Sequence, residues 1–224
     1  MLRKRVIAVL TFNDGILFRT KLFRPDYRYT VNFVDAWSID EIVILDVTRD
    51  NNGDQESFLE AVGQFAAKCF VPISVGGGIR SLSDVKTFLG AGADKVVVNT
   101  GALEQPELIE EISLTYGAQC VVLSIDVYKH PDQSYEVYSH FGSRPTGMDP
   151  ITWAQQGESL GVGELLLTPI EKDGWLQGYD LQLCRSVTDA VNIPTLILGG
   201  AGNWQHLIDG IEIGHAAGVC TQNI

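Results

Sequence analysis

Pro72 and Pro194 lie 122 residues apart, in two segments that read alike. Val71-Pro-Ile-Ser-Val-Gly-Gly-Gly-Ile-Arg80 and Ile193-Pro-Thr-Leu-Ile-Leu-Gly-Gly-Ala-Gly202 each start on a β-branched residue and proline, run apolar, and then meet glycines. Glu41-Ile-Val-Ile-Leu45 and Glu164-Leu-Leu-Leu-Thr168 repeat at a spacing of 123. Within this frame, short apolar runs alternate with helix-like stretches from end to end. The runs are 6–10, 42–46, 72–75, 95–99, 120–126, 165–168, 195–198 and 217–220. They are nearly continuous in Val, Ile and Leu, as parallel strands covered on the outside must be. Helical patterns cover 57–68, 83–91, 106–116, 149–160, 180–191 and 203–213, several opening on cap residues such as Ser83 or Asp84, Pro106 and Asp149-Pro150. The same alternation suits a doubly wound open sheet, but two similar four-strand halves are what close a barrel. The expected fold is therefore α/β, a (β/α)8 TIM barrel of two half-barrel repeats, in one domain over residues 1–224. The eighth strand falls near residue 219, and the sequence stops at Ile224 without a closing helix. Truncation is the expectation, because an uncovered last strand would expose apolar surface. Segment 127–148, after the fifth strand, contains the alternating Tyr135-Glu-Val-Tyr-Ser-His140 and reads as a small hairpin on the top face.

Composition narrows the function classes. The chain is 45% hydrophobic and 20% charged, a globular balance. The uncharged run 69–79 holds Pro72 and a glycine cluster and falls short of the ~20 residues that span a bilayer. Only a few apolar residues follow the basic start, too few for a signal-peptide core. No membrane role is expected. A formal charge of −12 argues against nucleic acid, whose phosphates call for a basic footprint. A phosphorylated small substrate is still allowed, since backbone N–H groups hold phosphate without net positive charge. Cys69, Cys120, Cys184 and Cys220 form no CxxC pair and read as reduced, mostly buried thiols of a cytoplasmic protein. Neither a metal nor a cofactor is expected.

In a barrel of this kind the C-terminal strand ends build the active site. Gly76-Gly77-Gly78 and Gly199-Gly200 end the third and seventh strands, while Asn99-Thr100 and Asp173-Gly174 follow the fourth and sixth. Either these are tight turns, or each half grips one phosphate of a two-phosphate ligand. Asp126 closes the apolar fifth strand, placed for general acid–base work or for a loop cap. Thr11 occupies the matching position in the first half; its hydroxyl can orient a substrate but is no base at neutral pH. Asp46 also ends a strand, with Arg49 near enough in sequence to pair with it. At the opposite end Arg5, Glu41, Lys95 and Glu164 each open an apolar strand. By spacing alone they are solvated residues at the barrel's bottom.

Arg5, Asn13-Asp14-Gly15, Asp46, Val75-Gly-Gly-Gly-Ile-Arg-Ser81, Gly92-Ala-Asp-Lys-Val96, Asn99 and Asp126 together make a pattern that continues through Arg144-Pro-Thr-Gly147, Asp173-Gly174, Gly178-Tyr-Asp180 and Gly199-Gly-Ala-Gly202. It resembles the cyclase subunit of imidazole glycerol phosphate synthase along the whole chain. That resemblance implies a histidine-biosynthesis barrel which pairs with a glutaminase subunit. Such a barrel receives ammonia through its interior and uses it on a bisphosphorylated ribulosyl aminoimidazole carboxamide. It further implies that Gly77, Gly78, Asn99 and Thr100 bind one phosphate, and that Asp173, Gly174, Gly199 and Gly200 bind the other. Arg5, Glu41, Lys95 and Glu164 match the charged gate at the ammonia entrance, and Asp94 matches a contact to the glutaminase.

The departures are as specific as the matches. The family's catalytic pair is an aspartate on the first strand and one on the fifth. Asp126 keeps the second, and Thr11 stands in place of the first. Arg19 replaces a lysine in a first loop recast as Phe23-Arg-Pro-Asp-Tyr27, Leu198 precedes the second glycine cluster, and Trp175 follows Asp173-Gly174. A retained gate with altered chemistry resembles paralogues found with surface-polysaccharide genes, which pass ammonia toward a nucleotide sugar. A working cyclase and a silent scaffold that activates a glutaminase are the alternatives.

Overall fold

The computed structural model describes residues 3–14, 16–21, 24–28, 39–48 and 55–222. Its first half runs β1 (Arg5–Asn13), β2 (Ile16–Lys21), β3 (Arg24–Arg28), β4 (Glu41–Asp46), α1 (Gln55–Lys68), β5 (Ile73–Gly76), α2 (Leu82–Gly90), β6 (Lys95–Val98), α3 (Thr100–Glu104) and α4 (Glu107–Tyr116). The second half runs β7 (Val121–Lys129), β8 (Tyr135–Ser139), β9 (Arg144–Pro145), α5 (Pro150–Ser159), β10 (Glu164–Pro169), α6 (Leu181–Thr188), β11 (Thr195–Ile197), α7 (Trp204–Glu212) and β12 (Gly218–Thr221).

Eight strands pair in parallel in the order β1-β4-β5-β6-β7-β10-β11-β12, and β12 returns to β1. The sheet closes, so the fold is the (β/α)8 barrel expected from the repeat. Closure removes every edge that an open sheet would leave unpaired. Successive side chains alternate across each strand, giving the barrel two apolar layers. Ile7, Val9, Val43, Val97, Val122 and Leu166 belong to a buried cluster inside it. A larger cluster lies outside, between strands and helices, where Phe58 sits between Phe12 and Phe88 at ring separations of 5.2 and 5.7 Å. Phe58 has no solvent exposure, so truncating it to alanine would cost ~3–5 kcal/mol.

The helices begin where side chains can satisfy their first N–H groups. Asp149 accepts from the Thr152 N–H at 2.9 Å with Pro150 next, and Asn203 accepts from the His206 N–H at 3.0 Å. The α2 cap is Ser81 rather than Ser83 or Asp84. Its extended backbone (φ −153°) turns the hydroxyl toward the Asp84 N–H, which places Asp84 inside the first turn.

The hairpin expected after the fifth strand is present, with Asp126 opposite Tyr138 and Lys129 opposite Tyr135. The segment after β1 was read as a recast loop; instead β2 pairs antiparallel with β1 and β3 pairs with β2. Gly15, Phe23, Arg49 and Ile224 lie outside the described residues, and of Arg19 only the backbone, in β2, is described. The eighth strand expected near residue 219 is β12. All four β12 residues are buried, with Gly210 of α7 close against Val219 and the Tyr179 hydroxyl donating to the Cys220 carbonyl at 2.7 Å. Apolar exposure falls instead on α7 and its end, at Trp204, Ile208 and Ile213.

Candidate active site

At the C-terminal strand ends a cavity of about 200 Å³ opens between the two halves. Thr11, Asn99, Asp126, Thr168 and Asp173 reach it from β1, β6, β7, β10 and the turn after β10. Gly77, Gly78 and Thr100 line one side. A smaller adjoining pocket holds Asp173, Gly174, Gly199 and Gly200. The structure thus gathers both sets of sequence-predicted residues at one mouth.

The glycines are required by backbone and by space. Gly77 has φ +130°, and a Cβ there would come within 2.6 Å of Asp46. Its repeat-related counterpart region shows the same demand at Gly200, where φ is +106° and a Cβ would meet the Gly178 carbonyl oxygen at 2.3 Å. In both turns the chain doubles back so tightly that only glycine fits.

Asp126 is 9% exposed. Burial raises its carboxyl to about 7; Asn99 pulls it back, the Asp173 charge adds to the rise, and Ser124 opposes it. A carboxyl titrating near neutrality can both give and take a proton there. Thr11 is 3% exposed and carries no titratable group. Asn99 lines the cavity with Gly77, Gly78 and Thr100. Its side chain is beside Asp126, and its buried Oδ1 has no hydrogen-bond partner. The Asn99 side chain thus serves the Asp126 carboxyl, while Asn99 and Thr100 both line the cavity beside the turn after β6. Asp46 is held locally: its Oδ1 accepts from the Thr48 N–H at 2.9 Å and the Thr48 hydroxyl at 2.6 Å.

The opposite end of the barrel departs from the solvated reading. Arg5 donates to Glu41 at 2.8 Å and to Glu164, and Lys95 Nζ donates to Glu41 and Glu164 at 2.9 Å each. Cations and anions alternate around a closed ring of four. Glu41 and Glu164 are only 1% and 5% exposed. Burial opposes the charges on Arg5 and Lys95, yet hydrogen bonds and attraction from Glu164 and Glu41 outweigh it and raise both cations. Asp94 is exposed nearby, and its Oδ2 accepts from the Ile73 N–H at 2.8 Å, capping the start of β5.

Sequence reasoning missed several members. Ser74 donates to Glu41 at 2.8 Å, completing that carboxylate's bonds. Ser124 lies two residues before Asp126 on the same inward face, a signal that alternation could have supplied. His140 and Phe141 line the cavity from the β8–β9 turn, where both take left-handed backbone (φ +51° and +57°), and the His140 N–H donates to the Thr100 hydroxyl at 3.0 Å. Cys184 and Cys220 are buried thiols, while Cys69 and Cys120 are half-buried.

A closed barrel of two related halves, with its polar and titrating groups at the C-terminal mouth, has the architecture of the half-barrel (β/α)8 enzymes. The chain belongs to the histidine biosynthesis protein family, whose family model matches residues 9–223. Among the described residues no helix is long and apolar enough to cross a membrane.

Proposed function

We propose that this chain is the ammonia-accepting synthase subunit of a class I glutamine amidotransferase. In this reading it has diverged from the cyclase subunit of imidazole glycerol phosphate synthase and serves another acceptor, such as a nucleotide sugar in surface-polysaccharide synthesis. The observation that carries it is the charge ring of Arg5, Glu41, Lys95 and Glu164 beneath an apolar barrel interior. A structural plug needs no such matched set, whereas an entrance that admits neutral ammonia and rejects ammonium is served by charges that can part, followed by apolar walls that desolvate any ion at high cost.

The glutaminase subunit docks on the bottom face, with exposed Asp94 among its contacts. A phosphorylated acceptor lies in the mouth. One phosphate meets the turns holding Gly77, Gly78, Asn99 and Thr100, the other those holding Asp173, Gly174, Gly199 and Gly200. Asp126 takes the proton that ammonia loses on bonding to the acceptor. Thr11 orients the acceptor and moves no proton.

A working histidine-pathway cyclase is the second reading. It is favoured by Asp173, a 2% exposed carboxylate close enough to act on Asp126, which gives the mouth a second acidic group. The two are separated by supplying ammonium and the ribulosyl aminoimidazole carboxamide bisphosphate to the purified chain. Turnover at an ordinary cyclase pace would establish the cyclase and remove the paralogue reading. Negligible turnover, with stimulation of a copurifying glutaminase, is the result the paralogue reading expects. A chain that neither turns over nor binds a glutaminase would defeat both.

A further inference from the structure

β1 gives one edge to β4 as far as Phe12, which lies opposite Asp46. Its other edge goes to β12 only as far as Ala8, opposite Thr221. Above that level β2 takes the vacated edge, with Phe18 opposite Thr11 and Ile16 opposite Asn13. β2 therefore stands over the end of β12. The smaller pocket lies on that side of the mouth, with Thr221 and Gln222 among its walls beside Gly174, Gly199 and Gly200. Lys21 ends β2, and its exposed ammonium sits 4.3 Å from the centroid of the Trp175 indole, the residue directly after Gly174. A cation carried by the end of β2 is thus parked on an aromatic face of the turn after β10, beside a pocket whose turns offer backbone N–H groups. Asp173 places a carboxylate in the same pocket, and the chain carries −12 overall. An anion entering there gains most from a mobile cation brought in from outside.

We propose that Lys21 is the side-chain cation of the smaller pocket, that it takes a phosphate monoester as partner, and that Trp175 holds its ammonium in the absence of that anion. The inference rests on the reading that a phosphorylated acceptor occupies the mouth. An exposed cation–π contact is weak, and a charge-assisted bond to phosphate is stronger, so bound phosphate draws Lys21 off the indole. The two residues then work in opposite directions: Lys21 favours the anion, and the indole competes with the anion for Lys21.

The test uses inorganic phosphate and the full chain, following the amide resonances of Gly199 and Gly200 beside those of Gly78 and Gly101. Lys21→Met is expected to weaken phosphate at Gly199 and Gly200 by about tenfold or more, leaving Gly78 and Gly101 unchanged. Lys21→Arg should restore most of the loss. Trp175→Leu should tighten the same site by about two- to fivefold, because the competing contact is gone. Phosphate should also change the native tryptophan emission, a change absent in Lys21→Met and in Trp175→Leu. Equal phosphate affinity at Gly199 and Gly200 in the native chain and Lys21→Met would overturn the role of Lys21 and leave the mouth as an anion site. No response of Gly199 and Gly200 in any variant would overturn both.

Discussion

Asp126→Asn should stabilise the protein while removing a carboxyl poised near neutrality. Burial moves that carboxyl from an ordinary 3.8 to about 7. At full ionisation this corresponds to roughly 4 kcal/mol against the folded state, and relaxation around the charge brings the expectation to about 2–4 kcal/mol. The sign follows from proton counts. Between pH ~4 and ~7 the folded chain holds a proton on Asp126 that the unfolded chain has lost, so stability falls as pH rises across that window. Asparagine keeps the shape and never ionises. Below pH ~4 the native chain and the variant should therefore coincide. Their gap should open through pH 5 and 6 and level off above ~7, where the variant melts roughly 5–15 °C higher for a chain of this size. Urea unfolding of both proteins at pH 4.5, 6 and 8 measures the gap directly, since every other titrating group contributes to both. A gap that does not change with pH, or a variant less stable than native at pH 8, would refute the claim that Asp126 is a desolvated carboxyl.

Three other outcomes are expected. Lys95→Met should cost roughly 2–4 kcal/mol in urea unfolding, because buried Glu41 and Glu164 lose a shared cation, and adding Glu164→Met should recover part of the loss. The Lys95 contribution should persist from neutral pH up to about 10 and vanish only above it, since a raised lysine keeps its proton until then. Asp94→Asn should weaken copurification with the glutaminase without measurable loss of melting temperature, because the amide oxygen still accepts from Ile73; Asp94→Lys should weaken both, and undiminished copurification would count against the bottom-face interface. Thr11→Asp should raise cyclase turnover at least ~10-fold from a low native rate, read as imidazole glycerol phosphate formed from ammonium and substrate.

The barrel was legible because its strands are buried on both faces, so that continuous runs such as Val43-Ile-Leu45 stand out, and because the repeat told a closed sheet from an open one. Glu41 and Glu164 were legible as charges opening strands, but their burial was not. Four residues between positions 5 and 164 meet only when the sheet closes, and nothing local marks a carboxylate that will find two cations and Ser74. β2 and β3 escaped for a related reason. Segment 16–28 mixes Arg19, Lys21, Arg24 and Arg28 with aromatic residues and has no clean alternation; its pairing is fixed by the edge of β1 left vacant above β12. α3 spans five residues, Thr100–Glu104, too few for a helical period to register. At the mouth, the residue types at 11, 99 and 126 could be read, whereas the rise of Asp126 comes chiefly from burial, with the Asp173 charge adding to it, and both exist only once the barrel is closed.

The two ends of the barrel handle charge in opposite ways. At the bottom each buried carboxylate has two cations, and the set is matched. At the mouth Asp126 has Asn99 and Ser124 for hydrogen bonds, a carboxylate rather than a cation in Asp173 as its charged neighbour, and a titration near neutrality as the result. β1 and β7 stand four strands apart around a ring of eight, so Thr11 and Asp126 face each other across the mouth. A ring closure that needs an acid on one side and a base on the other finds no ionisable group at position 11. In the proposed amination, ammonia displaces a group that departs with its electron pair as an anion, which leaves one proton on the new ammonium nitrogen to remove. A group titrating near 7 can receive that proton and release it to solvent between turnovers. One carboxyl with that titration, facing a hydroxyl that cannot ionise, is equipped for amination. Under the proposed function, Thr11 therefore bears on the choice of acceptor more than on the use of ammonia.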